Sequence, residues 1–403
     1  MEQRSMSEII KALQPLLRKF ENDDGLVIEE AIDEAGSKLG DNYTSIMIRT
    51  KIVGRYGNGS PYRKSFMTKI LPRERAINQL MKVHDLFALE RYVYENILPV
   101  LGDFGPRCVY AGREEVIMED LREKGYNVCE RRDYLDLDHC LYALKALAKF
   151  HAKSLAIKIK DPETFKKLIA PVKETIFHES TGPAIGKSID TTVGISIEHL
   201  ESIKPRTAEL EKAIEYMKSF EGNCYDKMKD LINLPKEKNF LILHGDPWEN
   251  NILFKHDGNG KIVDLKFVDY QIVRHLSPAM DFHYFVYTSA RNYVIEKHYD
   301  QLVEEYHRTF SETLKESGVP EEHRQNLGME WFKSELNRFC LYGLFTGFWL
   351  VHAILADESN LLDMDKITVE EIESLNVWSN QVVPIKAERI KVVSLHFMRT
   401  YKR

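Results

Sequence analysis

The chain has 403 residues, 43% of them hydrophobic and 29% charged, which excludes a disordered tail protein, a collagen-like fibre and a low-complexity scaffold. Its 56 basic and 62 acidic residues leave a formal charge of −6, which speaks against a globally basic nucleic-acid binder. The five cysteines are scattered, without a Cys-x-x-Cys pair or ligand spacing to histidine, and indicate neither a disulfide frame nor a zinc site.

In chain order, residues 5–20 carry Ile9, Ile10, Leu13, Leu16, Leu17 and Phe20 at helical spacing. This first segment has no signal-peptide core, so a cytoplasmic, reduced setting is expected. Short β-rich runs follow at 26–32, 43–53 and 65–71, with Gly54, Gly57, Asn58 and Gly59 marking a hairpin turn. Helical spacing returns over 76–98, and two more strands are expected near 107–110 and 115–118. Together these predict a small antiparallel sheet with one helix inserted after its third strand.

Beyond Leu121 the pattern is mostly helical, over 137–157, 195–233, 291–317, 327–356 and 367–401, with a β island at 239–273. The run from Phe339 to Ala356 has no formal charge and is expected as a buried core helix, not a membrane span. No repeat or Gly/Ser linker occurs. Position 121 is therefore expected as a hinge between two lobes sharing a cleft, residues 1–121 and residues 122–403, in an α+β fold.

The β island is the most informative segment. An apolar strand, Leu241-Ile242-Leu243, delivers His244-Gly245-Asp246; four residues later Asn251 opens a second strand, and the loop with its flanks spans 241–254. Asp269 follows Asp246 by 23 residues, within the segment 267–271. Phosphoryl transfer needs such a set: a carboxylate to take the acceptor hydroxyl's proton, and oxygen ligands to hold Mg2+ against nucleotide phosphates. By spacing Asp246 is the base, with His244 beside it as a candidate catalytic residue, and Asn251 and Asp269 are the metal ligands.

The N-terminal part offers matching partners for ATP. Lys69 lies on the third predicted strand, where a kinase lysine reaches the phosphates, and Glu90 is the candidate helix glutamate that holds it, with Glu95 the alternative. Asn42, Tyr43, Thr44 and Ser45 sit in a turn between the first two strands, where a phosphate-covering loop belongs, although the turn lacks G-x-G-x-x-G. Glu119, Asp120 and Leu121 fall at the junction where adenine would meet backbone. Residues 1–121 are thus expected to bind nucleotide.

These residues resemble the ecdysteroid kinase-like family of invertebrates. It is also described as choline kinase-like, within the aminoglycoside phosphotransferase branch of the protein-kinase-like fold. The matching pieces are Gly40 to Ser45, Lys69-Ile70-Leu71-Pro72, the helix glutamate before Tyr92, Met118-Glu119-Asp120-Leu121 and Phe150-His151-Ala152. To these add His244-Gly245-Asp246-x-Trp248-x-Asn250-Asn251, Val268-Asp269-Tyr270-Gln271 and Ser277-Pro278-Ala279-x-Asp281. Pro247 stands where a larger apolar residue is expected. The resemblance implies a bilobal fold and ATP- and Mg2+-dependent phosphorylation of a small-molecule hydroxyl, that of an ecdysteroid for the namesake members. A choline- or aminoglycoside-type acceptor and a catalytically silent binding protein are the alternatives. A monomer with no nucleic-acid or membrane partner is expected.

Three further segments invite other readings. Gly182 to Ser188 resembles a Walker A loop but is one residue short between its glycines, and is expected as a surface loop. Asp281-Phe282-His283 imitates the start of a D-F-G and is expected to tie the loop after Asp269 to the next helix. The basic run with Lys386, Arg389 and Lys391 is expected as a solvated helix face. A protein kinase is disfavoured by the absent A-P-E, by the lack of a D-F-G downstream of Asp246, and by the 93 positions from His151 to His244.

Overall fold

The computed structural model describes residues 4–37, 44–73, 75–179, 182–356, 366–368 and 383–402. Helix α1 (Met6–Glu21) is capped reciprocally: Glu8 donates its N–H to Ser5 Oγ at 3.4 Å, and Ser5 its N–H to Glu8 Oε2 at 2.8 Å. Strands β1 (Val27–Ala35), β2 (Ile46–Arg55) and β3 (Pro61–Ile70) follow as antiparallel neighbours. The turn between β2 and β3 closes where Tyr56 N–H meets Ser60 O at 2.9 Å, with Gly59 at φ +82°. Helix α2 (Val83–Tyr92) comes next, then β4 (Cys108–Ala111) and β5 (Glu115–Glu119), completing a five-stranded sheet in the order β1-β2-β3-β5-β4. The single helix expected over 76–98 is divided, because the turn Ile77–Leu80 ends at an extended Met81 before α2 begins.

Alternation decides which side of this sheet does what. Ile9, Leu13 and Leu17, one apolar stripe of α1, are buried against Ile28, Ile52, Tyr62, Phe66 and Ile117. On β3 the even positions Tyr62 and Phe66 therefore face α1, and Lys69 falls on the opposite face. On β5 Ile117 faces α1, while Val116 and Met118 join the main core.

The rest of the chain is mostly helical. The two-residue strand β6 (Tyr126–Asn127) precedes α3 (Leu137–Lys160), α4 (Pro162–Ile169), α5 (Gly182–Ser202), α6 (Ala208–Lys218) and α7 (Cys224–Ile232). Strands β7 (Leu241–Leu243), β8 (Ile252–His256), β9 (Ile262–Phe267) and β10 (Arg274–Leu276) form the β island. Helices α8 (Ala279–Ser289), α9 (Asn292–Glu316), α10 (Met329–Ile354) and α11 (Pro384–Tyr401) complete the described chain. The fold is α+β with antiparallel sheets. One large apolar cluster draws from both sides of Leu121, joining Phe87 and Val93 to Phe150, Tyr270 and Phe345.

Helix α8 is buried along its whole length and packs on α10. Gly343 permits that approach, since a Cβ there would lie 2.4 Å from His283 Cβ. Most of the uncharged run from Phe339 lies in α10, with Phe339, Leu344, Phe345 and Phe348 fully buried. Among the described residues no helix is long and apolar enough to cross a membrane.

Two expectations change. Gly182 to Ser188 forms the first turns of α5, not a surface loop, and residues 176–179 before it are bend and turn rather than strand. Lys386 and Arg389 are buried instead of solvated. Arg389 donates to Ala290 O at 2.6 Å, Tyr287 O at 2.8 Å and Asn292 Oδ1 at 2.9 Å, so it ties α11 to the α8–α9 junction. Of the helix expected over 367–401, residues 369–382 lie outside the described residues.

Candidate active site

Strand register brings the two carboxylate segments together. Antiparallel pairing of Arg274 with Leu243 sets the chain before β10 beside the chain after β7. Pairing of Ile252 with Phe267 does the same for Asn251 and Val268, whose N–H donates to Asn251 O at 3.0 Å. Asp246, Asn251 and Asp269 therefore gather at one end of the β island.

Lys69 joins this end to the sheet. Its Nζ lies 2.6 Å from Glu90 Oε2 and 2.6 Å from Asp269 Oδ1, with Lys69 and Glu90 both buried. Glu95 is exposed. Burial works against the ammonium, but Asp269 and Glu90 outweigh it and hold Lys69 above its ordinary range. Burial pushes the Glu90 carboxyl up, and Lys69 draws it back. Asp269 adopts φ +64°, a left-handed conformation that Asp tolerates better than most residues, and it accepts a long contact of 3.4 Å from Gln271 Nε2.

The Asp246 loop is braced more heavily. Gly245 has φ +88°, and a Cβ there would sit 1.9 Å from Ile272 O, so only glycine fits. Asp281, on α8, accepts the N–H of His244 on Oδ2 at 2.7 Å and that of Gly245 on Oδ1 at 3.0 Å. His151 Nε2 approaches the same carboxylate at 3.0 Å, and Tyr306 OH holds His151 Nδ1 at 2.6 Å. Asp281 thus ties down the loop of Asp246, not the loop after Asp269 as its sequence position suggests.

The Asp246 side chain is itself pinned. Asn251 Nδ2 donates to Asp246 Oδ2 and to its carbonyl, both at 3.0 Å, and Tyr284 OH donates to Oδ1. Burial pushes the Asp246 carboxyl up to about 7, Asp269 adds to the rise, and the Tyr284 and Asn251 hydrogen bonds oppose it.

His244 differs from its expected role. The ring is buried, with Nε2 donating to Val268 O at 3.0 Å and Nδ1 accepting the Asp246 N–H at 3.2 Å. Burial lowers its pKa to about 4, consistent with the neutral tautomer those bonds need. Both nitrogens are spent on backbone, so His244 braces the two carboxylate loops and offers nothing to a substrate.

The candidate nucleotide residues fall into three groups. Asn42 and Tyr43 lie outside the described residues. Thr44 donates from Oγ1 to Gln271 Oε1 at 2.9 Å, linking this turn to the Asp269 loop, and Ser45 is buried with its carbonyl accepting Arg75 Nη1 at 2.8 Å. Glu119 and Asp120 commit their carboxylates to protein partners. Glu119 takes Arg107 N–H at 3.0 Å and Lys124 Nζ at 2.5 Å; Asp120 takes Arg49 Nε at 2.5 Å and Ser65 Oγ at 2.7 Å. Leu121 is buried.

Asn251 and Asp269 offer hard oxygen atoms on adjoining segments that could hold a metal. With its amide nitrogen given to Asp246, Asn251 keeps Oδ1 as a ligating atom, and the pair suits Mg2+ completed by phosphate and water oxygens. Among the described residues no group of three or more His, Cys, Asp or Glu side chains forms a rival metal site.

Sequence reasoning missed Tyr284 and the ion pair of Arg274 with Glu174, at 2.7 Å. Tyr284 had a signal: it follows Asp281 by three residues, one helical turn on the same face. Arg274 and Glu174 are 100 residues apart and had none.

No curated protein matches the chain. Residues 39–319, well over half of it, match the ecdysteroid kinase-like family, and the match contains Lys69, Glu90, Asp246, Asn251, Asp269 and Tyr284; the protein belongs to that family.

Proposed function

We propose that the protein is an ATP- and Mg2+-dependent kinase that phosphorylates a hydroxyl of a small molecule, an ecdysteroid or a similar alcohol or xenobiotic. The observation that carries this reading is the convergence on one place of Lys69, paired with both Glu90 and Asp269, and of Asp246, paired with Asn251. The five-stranded sheet with α1 and α2 serves as the nucleotide lobe, residues 1–121, and residues 122–403 as the helical lobe. The protein works as a cytoplasmic monomer with no nucleic-acid or membrane partner.

Asn251 and Asp269 would hold Mg2+, which with ATP supplies charge neutralisation and the phosphoryl group. Lys69, on the same carboxylate, would hold the phosphates. Asp246 accepts a hydrogen bond from the acceptor hydroxyl and takes its proton, while its fixed carboxylate contributes orientation rather than strong basicity. Glu174 is paired with Arg274 and also accepts Ile176 and Phe177 N–H at 2.9 Å each.

The test is MgATP consumption with ecdysteroids, choline, aminoglycosides and phenolic glycosides as acceptors. Phosphorylated product from an uncharged alcohol, lost in Asp246→Ala, is expected. An Asp246→Ala variant with the wild-type rate overturns the base, and a wild type that binds no MgATP overturns the reading.

A further inference from the structure

A base that orients a hydroxyl must itself be held, and the carboxylate torsion of Asp is broad and roughly two-fold. One hydrogen bond leaves it free to rock. Asn251 supplies one, to Oδ2, from within the same loop, and shares that amide nitrogen with the Asp246 carbonyl. Oδ1, the other oxygen, is reached, among the described residues, from a different element: Tyr284 OH, on the buried helix α8, donates to it.

The phenol is held in its turn. Tyr284 is buried, its ring centroid lies 6.4 Å from that of Tyr342, and Tyr342 OH receives Arg274 Nη1 at 3.4 Å. Arg274 is locked by its ion pair with Glu174. Three residues earlier on α8, Asp281 fixes the backbone of His244 and Gly245. A single helical turn thus sets both the main chain before the base and the direction of its carboxylate. Burial and the neighbouring Asp246 raise the phenol's pKa well above its ordinary value, so it stays a donor.

We propose that Tyr284 is a positioning residue for phosphoryl transfer: its hydroxyl pins Asp246 Oδ1, so that the carboxylate presents one orientation to the acceptor hydroxyl. The proposal rests on the kinase reading above. It differs from a packing role, because Tyr284→Phe keeps the ring against Tyr342 and removes only the pin.

The experiment measures steady-state hydrolysis of MgATP, with water as the acceptor, for wild type, Tyr284→Phe, Asp246→Asn and the double variant. Tyr284→Phe is expected to lower kcat about 10- to 100-fold with KM for MgATP unchanged within about twofold. In the Asp246→Asn background the same change should cost less than about threefold, since the hydroxyl acts through the carboxylate. Wild-type kcat in Tyr284→Phe, a matching loss of kcat and nucleotide affinity, or an undiminished loss on top of Asp246→Asn would each overturn the proposal while leaving the kinase reading intact. A wild type that binds MgATP and turns it over neither with water nor with any alcohol of the acceptor panel removes the kinase reading, and this role with it.

Discussion

Asp246 and Asp269 meet at one site, yet they are held from different parts of the molecule and with different firmness. The Asp246 loop is fixed from the helical side: Asp281 takes two of its backbone N–H groups, Gly245 fills a space no other residue fits, and Asn251 and Tyr284 pin the carboxylate. Asp269 stands at φ +64° with its carboxylate 27% exposed, and its short contact comes from Lys69, on the sheet. In the proposed mechanism Asp246, as the base, would have to be preorganised, whereas Asp269, as a metal ligand, would have to release Lys69 to take a cation. The difference in bracing suits those two demands.

The largest expected effect is that of acid on the helical side. Burial lowers His275 and His283 to about 4, and His352 and His396 to about 3. Unfolded, these imidazoles take up protons near 6.5, and folded they resist until about 3 to 4, so stability falls as the pH drops through that window. Each contributes up to about 1.4 kcal/mol per pH unit. Asp246, Glu90 and Glu335, whose carboxyls are raised, act in the opposite sense, but they are three against these four imidazoles together with His199 and His244, which burial also lowers. Melting followed from pH 7 to pH 4 should show a steep fall; a flat profile would refute the buried neutral histidines.

Gly245→Ala attacks the brace at its tightest point. With a carbonyl 1.9 Å from the new Cβ and a positive φ, a loss above about 3 kcal/mol is expected in urea unfolding. Asp281→Asn turns an amide N–H2 toward groups that already donate, and should cost about 2–3 kcal/mol and most of the activity.

On the Asp269 side, Lys69→Met should be milder for the fold. Breaking a buried ion pair costs about 3–5 kcal/mol when the remaining charge stays, but Glu90 is already raised and can take a proton, which brings the loss to about 1–2 kcal/mol. KM for MgATP should nonetheless rise at least about tenfold. A stability loss as large as that of Gly245→Ala would erase the contrast between the loops. Gln271→Ala, which removes the contact with Thr44, should change stability by under about 1 kcal/mol by the same assay.

Much of the fold is legible in the sequence wherever a pattern repeats over a few residues. The α1 stripe, the alternation that puts Lys69 opposite Tyr62 and Phe66, and the apolar strands around Asp246 are of this kind. The site is legible where polar residues flank such strands: Asp246 and Asp269 stand out a few residues past apolar strands, and Asn251 just before one. His244 was misjudged because it stands beside Asp246 in the motif, while its ring faces inward to Val268 O. Arg389 was misjudged because a basic run looks the same whether its helix is solvated or packed on the α8–α9 junction.

By itself, the sequence determined the α+β character and the order of the strands' polar interruptions. These follow from alternation and spacing among near neighbours. Only the tertiary structure decided that Glu90 and not Glu95 meets Lys69, that Asp281 braces the Asp246 loop, and that Tyr284 reaches Oδ1. Those partners lie 21, 37 and 38 positions apart, and which side chains meet at such separations is set by how helices and strands pack, a relation no local pattern carries.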